Sequence, residues 1–98
     1  MRQILVFKQD GCPPCKHILP YIQRIGGYYQ SSPKVPQQNK IVTHIVDIND
    51  PKYMAITASY GVNSTPTVIG LVNNRLVDRV TGANEEKIES LYYSCSTA

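Results

Sequence analysis

The run Cys12-Pro13-Pro14-Cys15 constrains this chain more than any other feature, because of what flanks it. Ile4, Leu5, Val6 and Phe7 form a continuous apolar run of the kind that makes a buried strand. Gln9, Asp10 and Gly11 read as a turn. From Pro13 onward the apolar residues Cys15, Ile18, Leu19, Ile22 and Ile25 recur at helical spacing. Proline suits the first position of a helix, where its missing N–H costs nothing. Two thiols therefore fall in the first turn of a helix. Free backbone N–H groups and the positive end of the helix dipole favour an anion there. A thiolate is such an anion, and it is the reactive form of cysteine. The pattern points to a redox dithiol.

Length and charge exclude several other classes. The 98 residues fit one domain spanning 1–98. A chain of this size buries somewhat over ~60% of its unfolded surface, enough to fold without structural metals or disulfides. The net charge of +3 comes from scattered Lys and Arg residues with no basic patch, which argues against nucleic-acid binding. No apolar stretch approaches ~18 residues, so no membrane span is expected. Met1-Arg2-Gln3 runs directly into the first strand without the layout of a signal peptide. Three cysteines, an odd number, do not make a disulfide framework. A reducing cytoplasmic location is the expectation.

The remaining elements follow from local signals. Gln3 to Lys8 is the first strand, and the first helix is predicted from Pro13 to about Ile25, with Pro20 kinking it and Gly26-Gly27 ending it. Residues 28–40 are polar with two prolines and read as a surface loop. Ile41 to Val46 is the second strand. Asp50 reads as an N-cap with Pro51 at the first helical position, opening a second helix that ends near Tyr60 with Gly61 as its left-handed cap. Thr67 to Val72 and Arg75 to Val80 form an antiparallel hairpin across Asn73-Asn74, since asparagine tolerates positive φ. Asn84 caps a last helix, with Glu85 and Glu86 in its first turn and Ile88, Leu91, Tyr92 and Cys95 on its apolar face. The fold class is α/β: a compact four-stranded mixed sheet with three helices, in the order β-α-β-α-β-β-α. A right-handed parallel crossover joins the first two strands.

In this order the motifs resemble the thioredoxin superfamily. Cys12-Pro13-Pro14-Cys15 matches its Cys-x-x-Cys, Lys16 follows, and Pro20 falls where thioredoxins carry a helix proline. Tyr60-Gly61-Val62-Asn63-Ser64-Thr65-Pro66-Thr67 is similar to the thioredoxin stretch Tyr-Gly-x-x-x-x-Pro-Thr, and Gly82-Ala83 to the Gly-Ala before the last helix. The resemblance spans nearly the whole chain, in a compact, glutaredoxin-sized form that lacks thioredoxin's additional N-terminal strand and helix. It implies a cis peptide bond at Pro66, beside the dithiol, with the Thr65 backbone free to pair with a substrate chain. The candidate substrate-contacting residues are Gly11, Pro13, Pro14, Thr65, Pro66, Gly82 and Ala83. Two departures from the family stand out. Gly11 replaces the usual Trp before the first cysteine, and Val6 replaces the buried Asp six residues before Cys12.

The predicted chemistry is thiol–disulfide exchange on protein disulfides. Cys12, toward solvent, attacks as thiolate, and Cys15, turned inward, resolves the mixed disulfide. The helix terminus and Lys16 are expected to lower the Cys12 pKa. No metal or organic cofactor is expected. Structural zinc commonly uses two paired motifs, whereas Cys95 and His44 belong to separate elements. Cys95 reads as a buried core thiol and His17 as a helix-surface residue. The expected partners of this monomer are protein disulfides and a thioredoxin-reductase-type electron donor. A glutathione-dependent glutaredoxin is the alternative within the class, since Asp10-Gly11-Cys12-Pro13 is similar to that family's active-site approach. Against it, Thr81-Gly82-Ala83-Asn84 lacks the Gly-Gly and acidic residue that hold glutathione, and Lys8 is one position off the usual basic residue. A binding or scaffold subunit built on the same fold is the alternative of another class.

Overall fold

The computed structural model describes residues 1–98. The chain order is β1 (Arg2–Lys8), α1 (Pro13–Ser31), β2 (Val42–Asp47), α2 (Met54–Ser59), β3 (Thr67–Val72), β4 (Arg75–Thr81) and α3 (Glu85–Thr97), with 3-10 turns at Gln37–Asn39 and Pro51–Tyr53. The four strands form one mixed sheet in the order β2-β1-β3-β4. β1 runs parallel to β2, with Val6 opposite Ile45, and antiparallel to β3, with Val6 opposite Val68.

The apolar run of β1 is explained by its central place, since a strand covered on both faces needs no polar alternation. Ile4 and Val6 pack with Ile18 and Ile22 of α1 and with Ile88, Leu91 and Tyr92 of α3. Leu5 and Phe7 face the other side, where Val46, Ile69 and Leu71 join them and Ile56 and Tyr60 close over them. Every one of these four β1 side chains is buried.

Helix α1 runs to Ser31, six residues past the expected end at Ile25, and passes through Gly26-Gly27. Gly26 serves a close approach instead of a stop. A Cβ there would lie 2.9 Å from Thr43 Oγ1 and 3.2 Å from the Tyr92 hydroxyl. Those two groups share a hydrogen bond of 2.6 Å. The true terminus is Ser32, whose extended conformation (ψ 133°) is the one favoured before a proline, here Pro33. The predicted loop 28–40 shrinks accordingly to residues 32–36 and a 3-10 turn. Pro20 sits on the exposed side of α1 without interrupting it.

Strand β2 starts one residue later than expected, at Val42, because Ile41 uses its N–H on the Tyr29 carbonyl at 3.1 Å and its side chain in the core. The segment after Asp50 divides into a 3-10 turn and the short α2, where a single helix from Pro51 was expected. Asp50 nonetheless caps it, accepting from Lys52 N–H at 3.0 Å. Asn73 and Asn74 adopt φ of 52° and 66° in the β3–β4 turn, and Gly61 has φ 61°. Asn84 caps α3 by accepting from Lys87 N–H at 3.0 Å. At the far end of α3, the Arg2 guanidinium donates to the carbonyls of Cys95 and Ala98, each at 2.8 Å, and so satisfies two of the acceptors left free at that end.

Candidate active site

The end of β1 delivers the chain to the start of α1 through a tight turn in which Gly11 has φ 75°, a conformation that suits glycine. Cys12 is the N-cap of α1, extended at φ −99° and ψ 103°. Its Sγ accepts from the Cys15 N–H at 3.2 Å. Sulfur thus occupies the place usually taken by a Ser or Asp oxygen. Cys12 and Cys15 are joined by a disulfide, their Cα atoms 5.3 Å apart. Pro13 and Pro14, in the first turn, are exposed.

The expected contrast between the thiols is present in order but small in size. Cys12 is 7% exposed and Cys15 1%, so Cys12 is the more accessible residue yet is largely covered in the disulfide form. Thr65 approaches it. The Thr65 hydroxyl donates to Cys12 Sγ at 3.4 Å, and the Thr65 carbonyl lies 3.7 Å from the same sulfur. The Thr65–Pro66 peptide bond is cis. Gly82 N–H in turn donates to the Pro66 carbonyl at 2.8 Å. Gly82 has φ 97°, and a Cβ on it would meet no atom within 4 Å. Its role is therefore backbone geometry beside Pro66 and open surface above. Ala83, next in line, is partly buried against the α1–α3 core.

Charged groups near the dithiol are mostly paired or turned away. Lys8 Nζ lies 3.3 Å from Asp10 and 3.6 Å from Asp47. Its hydrogen bond to Asp10 holds the ammonium above its usual pKa of 10.5, with partial desolvation opposing and Asp47 adding to the rise. This clamp, tying the active-site turn to the end of β2, was not foreseen from sequence. Its only local signal was the Lys8-x-Asp10 spacing. Lys16 adjoins the site through its backbone, donating to the Cys12 carbonyl at 3.1 Å, while its side chain is exposed. His17 points to solvent, 3.9 Å from Glu85.

Cys95 is fully buried, and burial pushes its thiol from 9.0 up to about 11. It packs against Gly70, where a Cβ would collide with its sulfur and come within 2.9 Å of Leu91 Cδ1. No three His, Cys, Asp or Glu side chains gather as a metal site. A surface groove of about 540 Å³ lies between α1 and α3 and is lined by Ile25, Tyr28, Tyr29 and Tyr93 among others, away from Cys12.

A dithiol opening a helix, beside a cis-proline at the head of β3, on a four-stranded mixed sheet, defines the thioredoxin fold. The Thioredoxin family model matches residues 2–93, and the chain belongs to that family. It is 27% identical over 88 residues to the mitochondrial Thioredoxin-2 of Schizosaccharomyces pombe, covering 90% of this chain and 58% of that protein. To the Thioredoxin of Porphyra purpurea it is 35% identical over 72 residues, covering 74% of this chain and 58% of the relative. Among solved structures, the germline-specific thioredoxin Deadhead of Drosophila melanogaster superposes with a TM-score of 0.78 at 26% identity, covering 94% of this chain and 78% of that one. The chain thus spans under two thirds of the length of these two curated relatives. No helix is long and apolar enough to cross a membrane.

Proposed function

We propose that this protein is a thiol-disulfide oxidoreductase that reduces protein disulfides through Cys12 and Cys15. The observation that carries the reading is the Cys12–Cys15 pair at the N-terminus of α1, with Thr65 and the cis Pro66 against Cys12. In the reduced form, Cys12 thiolate attacks one sulfur of a substrate disulfide. A Cys12–substrate disulfide forms, and the second substrate sulfur leaves as thiolate. Cys15, deprotonated to solvent, then attacks Cys12 Sγ. The internal disulfide closes, the first substrate sulfur leaves, and both substrate thiolates take protons from water. Two electrons pass from the dithiol to the substrate.

Substrate contact is assigned to the surface around Cys12: Gly11, Pro13 and Pro14 on one side, Thr65, Pro66, Gly82 and Ala83 on the other. The open space beside Gly82, where a Cβ would meet no atom within 4 Å, supports an extended protein segment as substrate. Recharging is assigned to a reductase of the thioredoxin-reductase type. Glutathione as donor is less well supported, because Lys8, the basic residue nearest to the glutaredoxin family's usual position, is already paired with Asp10 and Asp47. The protein acts as a monomer in a reducing compartment, for which we take the cytoplasm. The mitochondrial name of the Schizosaccharomyces pombe relative makes fractionation the direct check.

The test is insulin reduction, run in parallel with thioredoxin reductase and with glutathione plus its reductase. Turnover with the first system, abolished by Cys12→Ser, is expected. Turnover only with glutathione would move the protein to the glutaredoxin class. A cellular role that survives Cys12→Ser would make the fold a scaffold.

A further inference from the structure

The groove between α1 and α3 takes no part in the chemistry at Cys12, yet it is built around aromatic rings. Tyr92 is fully buried, and Tyr29 stacks on it with ring centroids 5.4 Å apart and planes 21° from parallel. Tyr28 meets Tyr29 edge-on at 5.2 Å. Tyr28 and Tyr93 are nonetheless 46% and 63% exposed. Tyr28 and Tyr29 are thus held from below by Tyr92, with Tyr28 and Tyr93 open to a ligand above. Glu89 is the one charged side chain lining this hollow of about 540 Å³, in a chain of net charge +3. It belongs to none of the ion pairs of the molecule, and its hydrogen-bond partner is the Tyr21 hydroxyl at 3.5 Å. Burial first, then Tyr28, Glu89 and Tyr93 close by, hold the Tyr29 phenol above its usual 10.0. A second hollow of about 340 Å³ shares the three tyrosines and has Lys34 in its wall.

We propose that this groove docks an extended segment of a partner protein through an arginine side chain, its guanidinium laid against the Tyr28 and Tyr93 rings and paired with Glu89. The faces of aromatic rings are electron-rich and attract a cation. A carboxylate beside them offers two acceptors to the planar donor fork of arginine, which also stacks on rings better than a compact ammonium does. The molecule already uses this chemistry on α1, where the Arg24 guanidinium lies 5.9 Å from the centre of the Tyr21 ring. Other occupants fit the groove less well. An anion meets Glu89. A purely apolar helix encloses that carboxylate without a partner, which is costly. A second copy in a symmetric pair presents the same patch and sets two Glu89 carboxylates in one interface. Lys34 beside the same tyrosines favours one arginine over a run of basic residues. Rings fixed by stacking lose little freedom when a ligand settles on them, so the site is prepared in advance.

The experiment is a nuclear magnetic resonance titration of the native protein in its disulfide form, so the outcome does not depend on turnover. The probe is an acetylated, amidated pentapeptide with one central arginine between alanines. Its counterpart carries citrulline, which keeps the planar shape and lacks the charge. The arginine peptide is expected to shift the amide signals of Tyr28, Tyr29, Glu89 and Tyr93, and to leave those of residues 11–15 in place. The citrulline peptide is expected to bind about tenfold more weakly, the combined scale of a cation–ring contact and an exposed ion pair. Tyr93→Leu and Glu89→Gln, both at exposed positions, are each expected to weaken the arginine peptide about threefold. Equal binding of the two peptides overturns the proposal, as does the absence of any shift up to about 10 mM peptide, too weak for a docking contact. Shifts confined to the surface around Cys12 overturn it as well and leave the oxidoreductase reading intact. Shifts of the groove amides with protein concentration alone assign the groove to a second copy instead. If Tyr93→Leu does not fold, Glu89→Gln with the peptide pair gives the same decision.

Discussion

Cys12 holds two positions at once: it is the N-cap of α1 and the more accessible cysteine of the disulfide. Cys15 sits one helical turn on and is almost completely covered. This asymmetry leads to different outcomes for the two serine variants. Cys15→Ser leaves an attacking thiol without a resolving partner. A mixed disulfide with substrate is expected to accumulate to about one equivalent per chain, visible on non-reducing gels. Cys12→Ser is expected to give no adduct and no turnover, since serine at an N-cap preserves the helix while removing the sulfur. An adduct trapped by Cys12→Ser and absent from Cys15→Ser would reverse the two roles. The dithiol was legible because it is a local signal, four residues set between a strand pattern and a helix pattern. The Thr65 hydroxyl was legible only through the family resemblance, because nothing local joins residues 53 apart.

Among the elements, α1 shows most clearly what a one-dimensional reading misses. Gly26 and Gly27 are adjacent, identical and both inside the helix, yet their surroundings are opposite. Gly27 has no atom within 4 Å of a prospective Cβ. Gly27→Ala is therefore expected to stabilise the protein by about 0.5–1 kcal/mol through helix propensity alone. Gly26→Ala gains the same propensity but must displace Thr43 and the fully buried Tyr92, which hold each other by a hydrogen bond. Overpacking of a dense core costs about 1–3 kcal/mol, so the net effect is expected to be destabilising. Urea unfolding of the two variants measures the difference in sign. The Gly-Gly pair reads as a helix stop from sequence because its actual cause lies on β2 and α3, far along the chain. Caps and turns were readable for the converse reason: Asp50, Gly61, Asn73-Asn74 and Asn84 act on residues within three positions of themselves. The stop at Ser32-Pro33 was equally local, but the glycines before it masked it.

For the molecule as a whole, the burial that stabilises the α1–α3 side also makes it sensitive to alkali. Desolvation pushes the Tyr92 phenol from 10.0 up to about 12, a rise its hydrogen bond to Thr43 partly offsets, and the Cys95 thiol from 9.0 up to about 11. Both groups are neutral when protonated. The unfolded chain therefore loses these protons first as pH rises, and the folded state is left with more bound protons. Their stabilising contribution is full below pH 9.0 for Cys95 and 10.0 for Tyr92, and is lost as pH rises through about 11 and about 12. The slope approaches about 1.4 kcal/mol per pH unit for each group within its window. Denaturant midpoints are expected to stay flat from these groups near neutrality and to fall steeply above pH 9.0, less steeply in Cys95→Ala. A midpoint unchanged through that range would contradict the burial of both groups. The same sealed position of Cys95 also fixes the stoichiometry of the molecule. The chain has three cysteine thiols, but packing against Gly70 withholds one of them from reagents in solution. Native reduced protein is expected to react with an aromatic disulfide reagent to two equivalents, and the third thiol only after unfolding. As a redox store the protein then has a hard ceiling of one electron pair per chain, and excess oxidant can empty it without starting a covalent link to a second copy through Cys95.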